Sequence, residues 1–339
     1  MENTVLFEPL RIGTHTVRNR IVVPPMVYFG STGEDGKVND RHLRHYSSFA
    51  RGGAGLVFTE ACAVVHKEGG RNAIALWDDS FIPGLAELAE SIHAWESKTI
   101  VQMLMPGKET ITGAVDADAF RSVQEAFRDA AVRIQKAGFD GAELHAAHGY
   151  YLNQVTEECM RQESTGNSEH GMCLVTDIVK MIREACGSSF IISVRLGNPD
   201  TDALIKEAQL FEAAGADLLN ISTGTAPYAF AQETPDGRIQ AAGLVKKHVS
   251  VPVIAVGGIE TGGQALAVIE NGYADLVAVG HGHLCDPGWA DKVCYGSEPE
   301  RCLHCAQCAW YTDGTKCPRR MKRTNAARVS RYMRTDNAR

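Results

Sequence analysis

Short apolar runs alternate along this chain with longer segments in which apolar residues recur at helical spacing. Four of the runs share one layout: a glycine that can end a helix, a short turn, and a sequence typical of a buried parallel strand. They are RGGAGLVFTE (51–60), AGFDGAELH (137–145), AGADLLNIS (214–222) and NGYADLVAVG (271–280). Each predicts a strand that enters a sheet directly after a helix.

Four further apolar runs complete a set of eight predicted strands: Ile21–Val23, Thr99–Met103, Phe190–Leu196 and Pro252–Val256. Segments between the runs, such as 84–98 and 120–138, have the periodicity of amphipathic helices. This alternation over 339 residues predicts an α/β fold, a closed (β/α)8 TIM barrel. The alternative is an open doubly wound sheet, which usually has a glycine-rich turn after its first strand, whereas Pro24-Pro25-Met26 follows here.

Composition and charge narrow the function classes. The formal net charge of −7 gives no basic surface for nucleic acid, and no apolar window is long enough to span a bilayer. The first residues, MENTVLFEPLRIG, lack a basic leader followed by an apolar core. We therefore expect a cytoplasmic protein that binds neither nucleic acid nor membrane.

Four cysteines are concentrated in one short segment: Cys302, Cys305, Cys308 and Cys317. In a reducing compartment this spacing indicates a metal site rather than disulfides. Three cysteines at two-residue intervals with a distant fourth favour a [4Fe–4S] cluster, while zinc and a vestigial site that binds nothing are the alternatives. The six scattered cysteines are interpreted as buried or idle thiols: Cys62, Cys159, Cys173, Cys186, Cys285 and Cys294.

The chain is divided accordingly into a barrel, residues 1–295, and a Cys-rich segment with a basic arm, residues 296–339. From Lys316 to Arg339 the chain has nine basic residues and one acid, Asp336. A solvated arm is one interpretation. The other is a docking surface for an acidic redox partner protein. A cluster would exchange single electrons with that partner.

Polar or small residues stand where several predicted strands end. Gln102, His145 and Arg195 end the third, fourth and fifth strands, and glycines follow the seventh and eighth strands at Gly257-Gly258 and Gly280. Because barrel enzymes place their chemistry at the carboxyl ends of the strands, these residues are candidate site residues. Open glycine backbone after the last two strands is suited to a phosphate.

The sequence HAAHGY contains the sharpest local constellation. If the chain turns helically, His145 and His148 face the same way and offer two N–H donors to one oxygen atom, and Tyr150 is placed to donate a proton. A metal pair and two hydrogen-bonded core histidines are the alternatives.

These residues resemble the old yellow enzyme family of FMN-dependent ene-reductases. The resemblance extends from about residue 5 to the Cys-rich segment. Over this length the chain resembles the barrel part of iron–sulfur members such as 2,4-dienoyl-CoA reductase and 2-enoate reductase. The matching segments are LFEPLRIG (6–13), NRIV (19–22), PM (25–26), ARGGAGLVFTEA (50–61), Gln102, AGFDGAELHAAHGYYLNQ (137–154), VRL (194–196), 252–259, Gly280 and DP (286–287).

The resemblance implies a role for each of these positions. Gln102 and Arg195 would contact the pyrimidine side of FMN, and the loop of Pro25, Met26 and Val27 would lie at its redox-active edge. The flavin phosphate would be held by Gly257, Gly258, Gly280 and His281. His145 and His148 would bind the carbonyl or carboxyl oxygen of an electron-poor alkene, and Tyr150 would protonate it, with NAD(P)H as the electron donor.

The chain also departs from the family pattern. Val27 replaces a Thr or Cys, Lys108 ends a segment that replaces HxGR, His281 replaces an arginine, and the RTDxYGGSxENR segment is degraded from Arg161 onward. Two other functions therefore stay open. One is an N-demethylase or amine dehydrogenase that passes electrons to a cluster, and the other is a non-catalytic FMN electron-transfer subunit.

Overall fold

The computed structural model describes residues 4–66, 72–106, 117–165, 173–224 and 236–321, and it confirms the predicted (β/α)8 barrel. A two-stranded antiparallel hairpin, β1 (Leu10–Ile12) and β2 (His15–Val17), precedes eight parallel strands. The last strand pairs with both the first barrel strand and its predecessor, which closes the ring. The barrel strands are β3 (Ile21–Val23), β4 (Leu56–Ala63), β5 (Lys98–Leu104), β6 (Gly141–Ala146), β7 (Ile191–Leu196), β8 (Leu218–Ile221), β9 (Val253–Val256) and β10 (Leu276–Ala278).

Ten α-helices lie within the described ranges, and four short 3-10 helices accompany them. The α-helices are α1 (Asp40–Arg51), α2 (Ile82–His93), α3 (Ala117–Lys136), α4 (Tyr151–Thr165), α5 (Cys173–Cys186), α6 (Thr201–Ala214), α7 (Gly237–Lys246), α8 (Gly262–Glu270), α9 (Gly280–Cys285) and α10 (Trp289–Cys294). The 3-10 helices are Val5–Phe7, Asp79–Phe81, Ala309–Tyr311 and Gly314–Lys316. None of the described helices is both long and apolar enough to cross a lipid bilayer.

The glycines of the repeated layout end helices, as the sequence predicts. Gly215 follows α6 with φ of +108°, and Gly138 follows α3 with φ of +87°. A side chain would be strained in this left-handed region, so glycine lets the chain turn from the helix into the next strand. At its other end α6 is capped by Asp200, whose side chain accepts a hydrogen bond from the Ala203 amide.

An apolar cluster fills the end of the barrel at which the strands begin. Leu56, Ile191 and Leu218 are the first residues of their strands, and they pack with Ile12 and Val17 of the hairpin. The hairpin thus closes the amino-terminal end of the barrel. Polar side chains lie at the opposite end, where the strands end and where enzymes with this fold have their active sites.

The Cys-rich segment packs against the loop that follows β3. Trp310 Nε1 donates a hydrogen bond to Val27 O at 2.8 Å, and the indole stacks on the Tyr28 ring with centroids 5.4 Å apart. The Gly314 amide donates to Phe29 O at 3.3 Å. The segment therefore lies at the carboxyl-terminal end of the barrel strands. The boundary at residue 295 stays a prediction.

Candidate active site

Four polar side chains from neighbouring strands meet inside the barrel. Gln102 of β5 lies opposite Glu143 of β6, which lies opposite Ser193 of β7. Gln102 Nε2 donates to Glu143 Oε1 at 2.8 Å, and Ser193 Oγ and Asn220 Nδ2 each donate to Glu143 Oε2 at 2.9 Å. The network fixes which way the Gln102 amide points.

Glu143 and Arg195 are opposite charges within this interior. Glu143 is fully buried and Arg195 is 7% exposed. Burial raises the pKa of Glu143, and the Arg195 charge opposes that shift. Burial likewise lowers the pKa of Arg195, against the effect of Glu143. Arg195 Nε is buried and has no hydrogen-bond partner within the described part of the chain, so it is a donor directed at a group that a ligand would supply.

Ser222, just after β8, joins Arg195 to the histidine motif. His145 of β6 and Arg195 of β7 are register partners, and Arg195 Nη2 donates to Ser222 Oγ at 3.1 Å. His148 Nε2 lies 3.0 Å from the same oxygen and 3.1 Å from Ser222 O. Arg195 and His148, both predicted site residues, are thus linked through the Ser222 side chain.

The rings of HAAHGY converge, although by a different turn from the one predicted. His145 and His148 are edge-to-face with centroids 5.2 Å apart, and the His145 and Tyr150 centroids are 4.9 Å apart. The expectation of a helical turn is wrong, because His148 has a left-handed φ of +62° and α4 begins only at Tyr151. Such backbone conformations in non-glycine residues are enriched at functional sites.

The glycines predicted to hold a phosphate follow β9 and β10, at the same end of the barrel. Gly258, after β9, has φ of +59°. At Gly257 a Cβ would lie 3.0 Å from Arg238 Nε, and at Gly280 a Cβ would lie 3.4 Å from Met26 Sδ. The loops after the first and last barrel strands are therefore in contact. Together with the Gln102 amide and the Arg195 guanidinium, this donor set fits FMN.

A cavity of about 540 Å³ adjoins this end of the barrel, and all four clustered cysteines line it. Cys302 and Cys317 are half-buried, whereas Cys305 and Cys308 are exposed. Three more candidate ligands line the same cavity: His281, Cys285 and His304.

Backbone amides donate hydrogen bonds to two of the four clustered thiols, those of Cys302 and Cys317. The His304 amide lies 3.5 Å from Cys302 Sγ as a donor, and the amides of Arg319 and Arg320 donate to the Cys317 sulfur. N–H···S hydrogen bonds of this kind tune iron–sulfur clusters. Among the described residues no three of the four thiols bring their sulfurs within 4.8 Å of one another.

Cys285 is a fifth thiol at this cavity. It is buried at the end of α9, where it hydrogen-bonds to the sulfurs of Cys302 and Cys317. These contacts lower the pKa of Cys302 and of Cys317 and raise that of Cys285. The interpretation of Cys285 as a buried or idle thiol is right about its burial and wrong about its isolation. Cys62, Cys159 and Cys186 are buried and Cys294 is partly exposed, while the side chain of Cys173 lies outside the described residues.

His281 lies on the thiol cavity. Its ring and that of His304 are edge-to-face with centroids 6.0 Å apart, and His304 Nε2 lies 2.5 Å from Glu260 Oε1. The predicted phosphate contact of His281 stays a prediction. Lys108, residues 166–168 of the degraded segment and the basic arm beyond residue 321 fall outside the described residues, as do the side chains of residues 162–165.

Sequence reasoning missed several of these residues. Glu143 had a usable signal, because it stands two positions before His145 on one strand and so faces the same way. Ser222 and Glu260 had none, since their partners lie far away in the sequence. His304 had one, because it stands between Cys302 and Cys305 in the predicted metal segment.

The model of the NADH:flavin oxidoreductase / NADH oxidase family matches residues 5–122 and 107–300. NADH oxidase of Thermoanaerobacter brockii is 32% identical over 345 residues, which cover 88% of this chain and 52% of that protein. NADPH dehydrogenase of Bacillus pumilus is 31% identical over 314 residues, which cover 84% of this chain and 92% of that protein. The chain thus spans about half the length of the first relative and most of the second.

Among solved structures, the old yellow enzyme homologue from Zymomonas mobilis superposes with a TM-score of 0.74 at 19% identity, covering 92% of this chain and 99% of that one. At this identity the likeness concerns the fold, and it agrees with the closed barrel.

Proposed function

Because the chain belongs to the NADH:flavin oxidoreductase / NADH oxidase family, we propose that it is an FMN-dependent oxidoreductase that uses NAD(P)H to reduce activated C=C bonds. Its substrates would be α,β-unsaturated carbonyl or enoate compounds. The observation that carries the proposal is the convergence of the His145, His148 and Tyr150 rings next to Arg195.

The flavin would be held from both ends. Gln102 and Arg195 would donate to its pyrimidine side, with the Gln102 amide oriented by Glu143. Its phosphate would be held by the backbone at Gly257, Gly258 and Gly280, with His281 as a further contact, and the loop of Pro25, Met26 and Val27 would lie along its edge. When bound, FMN supplies the hydride that the β-carbon of the alkene receives.

The histidine pair binds the substrate oxygen. Two N–H donors on one oxygen draw electron density out of the conjugated double bond, so that the β-carbon accepts a hydride more readily. Ser222 orients His148 through its contacts with Nε2. His145 approaches the same oxygen from the end of β6.

Tyr150 completes the reduction by donating its phenolic proton to the α-carbon. Its ring stands 4.9 Å from that of His145, centroid to centroid, so the acid would stand beside an oxygen that the histidine binds. A positioned general acid contributes about 10²–10⁴-fold to a rate.

The four clustered cysteines would hold a [4Fe–4S] cluster, which exchanges single electrons with a redox partner protein. The N–H···S contacts to Cys302 and Cys317 and the size of the cavity support this assignment. In protein purified without oxygen, we expect about four irons per chain, with matching acid-labile sulfide, and the loss of both in Cys305→Ser. Stoichiometric zinc in place of iron would contradict the cluster.

The ene-reductase proposal is tested with Tyr150→Phe. We expect the variant to be reduced by NAD(P)H at the parental rate and to reduce a cinnamaldehyde-type or enoate acceptor at least about 10²-fold more slowly, because only the second step needs the acid. Anaerobic stopped-flow absorption follows the two steps separately. Tyr273→Phe, a partly buried tyrosine outside the site, is the matched control.

Equal alkene reduction by Tyr150→Phe and the parent would show that the assignment of the acid is wrong. If no alkene is reduced and methylamine-type substrates bleach the flavin instead, the protein is an amine dehydrogenase. Flavin binding with neither reaction would make it an electron-transfer subunit.

A further inference from the structure

A tight turn joins His148 to Tyr150. The Tyr150 amide donates to Ala147 O at 3.3 Å, and both residues between them have positive φ, +62° at His148 and +70° at Gly149. Two successive positive φ angles are characteristic of a type I′ turn, in which glycine, asparagine and aspartate predominate. Histidine is not among them, so the turn persists only because other contacts hold it.

Those contacts come from the first turn of α4. Asn153 Oδ1 accepts a hydrogen bond from the Gly149 amide at 2.7 Å, and Gln154 Nε2 donates to Gly149 O at 2.9 Å. The two peptide groups that flank Gly149 are therefore both fixed to the helix. Because these peptide groups join Gly149 to His148 and to Tyr150, the contacts set the direction in which the two side chains leave the turn.

Asn153 is itself oriented by a charged neighbour one turn along the helix. Its Nδ2 donates to Glu157 Oε1 at 3.0 Å, and its side chain is only 3% exposed. A carboxylate only accepts hydrogen bonds, so it binds the nitrogen of the Asn153 amide and leaves the oxygen to face Gly149. An aspartate at this position could accept from Gly149 but could not donate to Glu157.

From these contacts we propose that Asn153, backed by Glu157, is a positioning residue that holds His148 and Tyr150 in the geometry that alkene reduction requires. The inference rests on the proposed function for the roles of those two residues. Asn153 acts through the backbone of the turn, and a displacement of about 1 Å at a reacting group can lower a rate by about 10²-fold. None of the clustered cysteines takes part, so the inference is compatible with the proposed cluster.

The test exchanges donor and acceptor between the two side chains. Asn153→Ala removes both hydrogen bonds, while Asn153→Asp keeps the acceptor for Gly149 and sets a second carboxylate against Glu157. Adding Glu157→Gln to Asn153→Asp restores the pair in reversed order, because a glutamine amide can donate to an aspartate. Asn271→Ala is the matched control, since it also removes a side chain-to-backbone hydrogen bond, at the end of α8.

Two measurements are made on the full chain with FMN bound. In the first, chemically reduced flavin is reoxidised in a single anaerobic turnover by a cinnamaldehyde-type or enoate acceptor. A parallel reaction uses ferricyanide, which takes electrons without the histidine pair or the acid. The second measurement is a calorimetric titration with 4-hydroxybenzaldehyde, whose phenolic oxygen the histidine pair would bind.

We expect Asn153→Ala and Asn153→Asp to slow reoxidation by the alkene about 10–100-fold and to leave the ferricyanide rate unchanged. Binding of the phenol should weaken about tenfold in both variants. Asn153→Asp/Glu157→Gln should recover to within about threefold of the parent, because the two side chains act as one network. Loss of folding alone would not separate the two oxidants and would not be reversed by the second substitution.

The inference is overturned if Asn153→Ala matches Asn271→Ala in both measurements, or if the double variant is no faster than Asn153→Asp. The second comparison is sufficient if Asn153→Ala does not fold. A parent that reduces no alkene would contradict the proposed function, and the phenol titrations of the same variants would then test Asn153 by themselves. A parent that neither reduces an alkene nor binds the phenol would overturn both.

Discussion

Glu207 is a buried acid outside the candidate active site, and it gives the folded protein a pH-dependent stability. Its carboxyl group on α6 is fully buried, and Asn198 Nδ2 donates to Oε1 at 2.7 Å. Glu207 Oε2 has no hydrogen-bond partner in the described part of the chain. Burial, with a smaller contribution from the nearby charge of Glu157, raises the pKa of Glu207 to about 7, against the opposing effect of the Asn198 hydrogen bond.

A carboxyl group whose pKa is higher in the folded state destabilises that state once it must ionise. Below the unfolded value of 4.5 both states hold the proton, and above about 7 both have lost it. Stability therefore falls as pH rises through this window, by up to about 3 kcal/mol. Glu207→Gln should flatten this part of the profile, and the gain over the parent should be larger at pH 8 than at pH 5.

Urea unfolding at the two pH values measures the effect, with Glu87→Gln, an exposed acid on α2, as the control. Equal pH dependence in the parent and in Glu207→Gln would contradict the assignment of the raised pKa to this residue.

The site could be predicted at the residue scale only where its members are close in the sequence. One six-residue motif contains His145, His148 and Tyr150, so these three could be predicted together. Ser222 is far from His148 in sequence and still lies against it, because β8 is the second strand on from β6 in the barrel. No pattern of neighbouring residues in the sequence predicts the contact between Ser222 and His148.

At the scale of elements, the eight barrel strands were predictable because each is a buried apolar run after a helix-ending glycine or turn. The hairpin of β1 and β2 was not predicted, since each strand has three residues and only one of the three is buried. Its role as the closing element of the barrel depends on the partners of Ile12 and Val17 in the completed barrel.

The docking of the Cys-rich segment is also a property of the assembled elements. Trp310 fixes the segment to the loop after β3 through one indole N–H on Val27 O. Trp289, at the start of α10, donates a comparable hydrogen bond to Glu260 O at 3.0 Å. Glu260 follows β9 and is not part of the loop after β3. The two tryptophans therefore form a matched pair for mutation.

We expect Trp310→Phe and Trp289→Phe each to lower the free energy of unfolding by about 1 kcal/mol, because each loses one buried hydrogen bond. Only Trp310→Phe should also shift the flavin absorption bands, since Val27 is predicted to lie at the flavin edge. Denaturant unfolding and difference spectra measure the two effects. A spectral shift of the same size in both variants would show that the flavin does not sense this contact.

At the scale of the whole molecule, the barrel separates stability from chemistry. The hairpin and the first residues of the strands fill one end with apolar side chains, and the polar residues and open glycines are left at the other. A ligand that binds at the polar end of the folded chain stabilises the entire fold by mass action. Its contribution can therefore be measured without any assay of activity.

FMN at a free concentration 100 times its Kd should raise the free energy of unfolding by about 2.7 kcal/mol. Riboflavin, which lacks the phosphate, should need a concentration at least about tenfold higher for the same rise in Tm. Gly280→Ala isolates the phosphate site, since the added methyl would lie 3.4 Å from Met26 Sδ, an ordinary contact that the fold tolerates. It should weaken FMN and leave riboflavin unchanged, because only FMN places a phosphate against that backbone. Equal losses for the two flavins would place the phosphate elsewhere in the barrel.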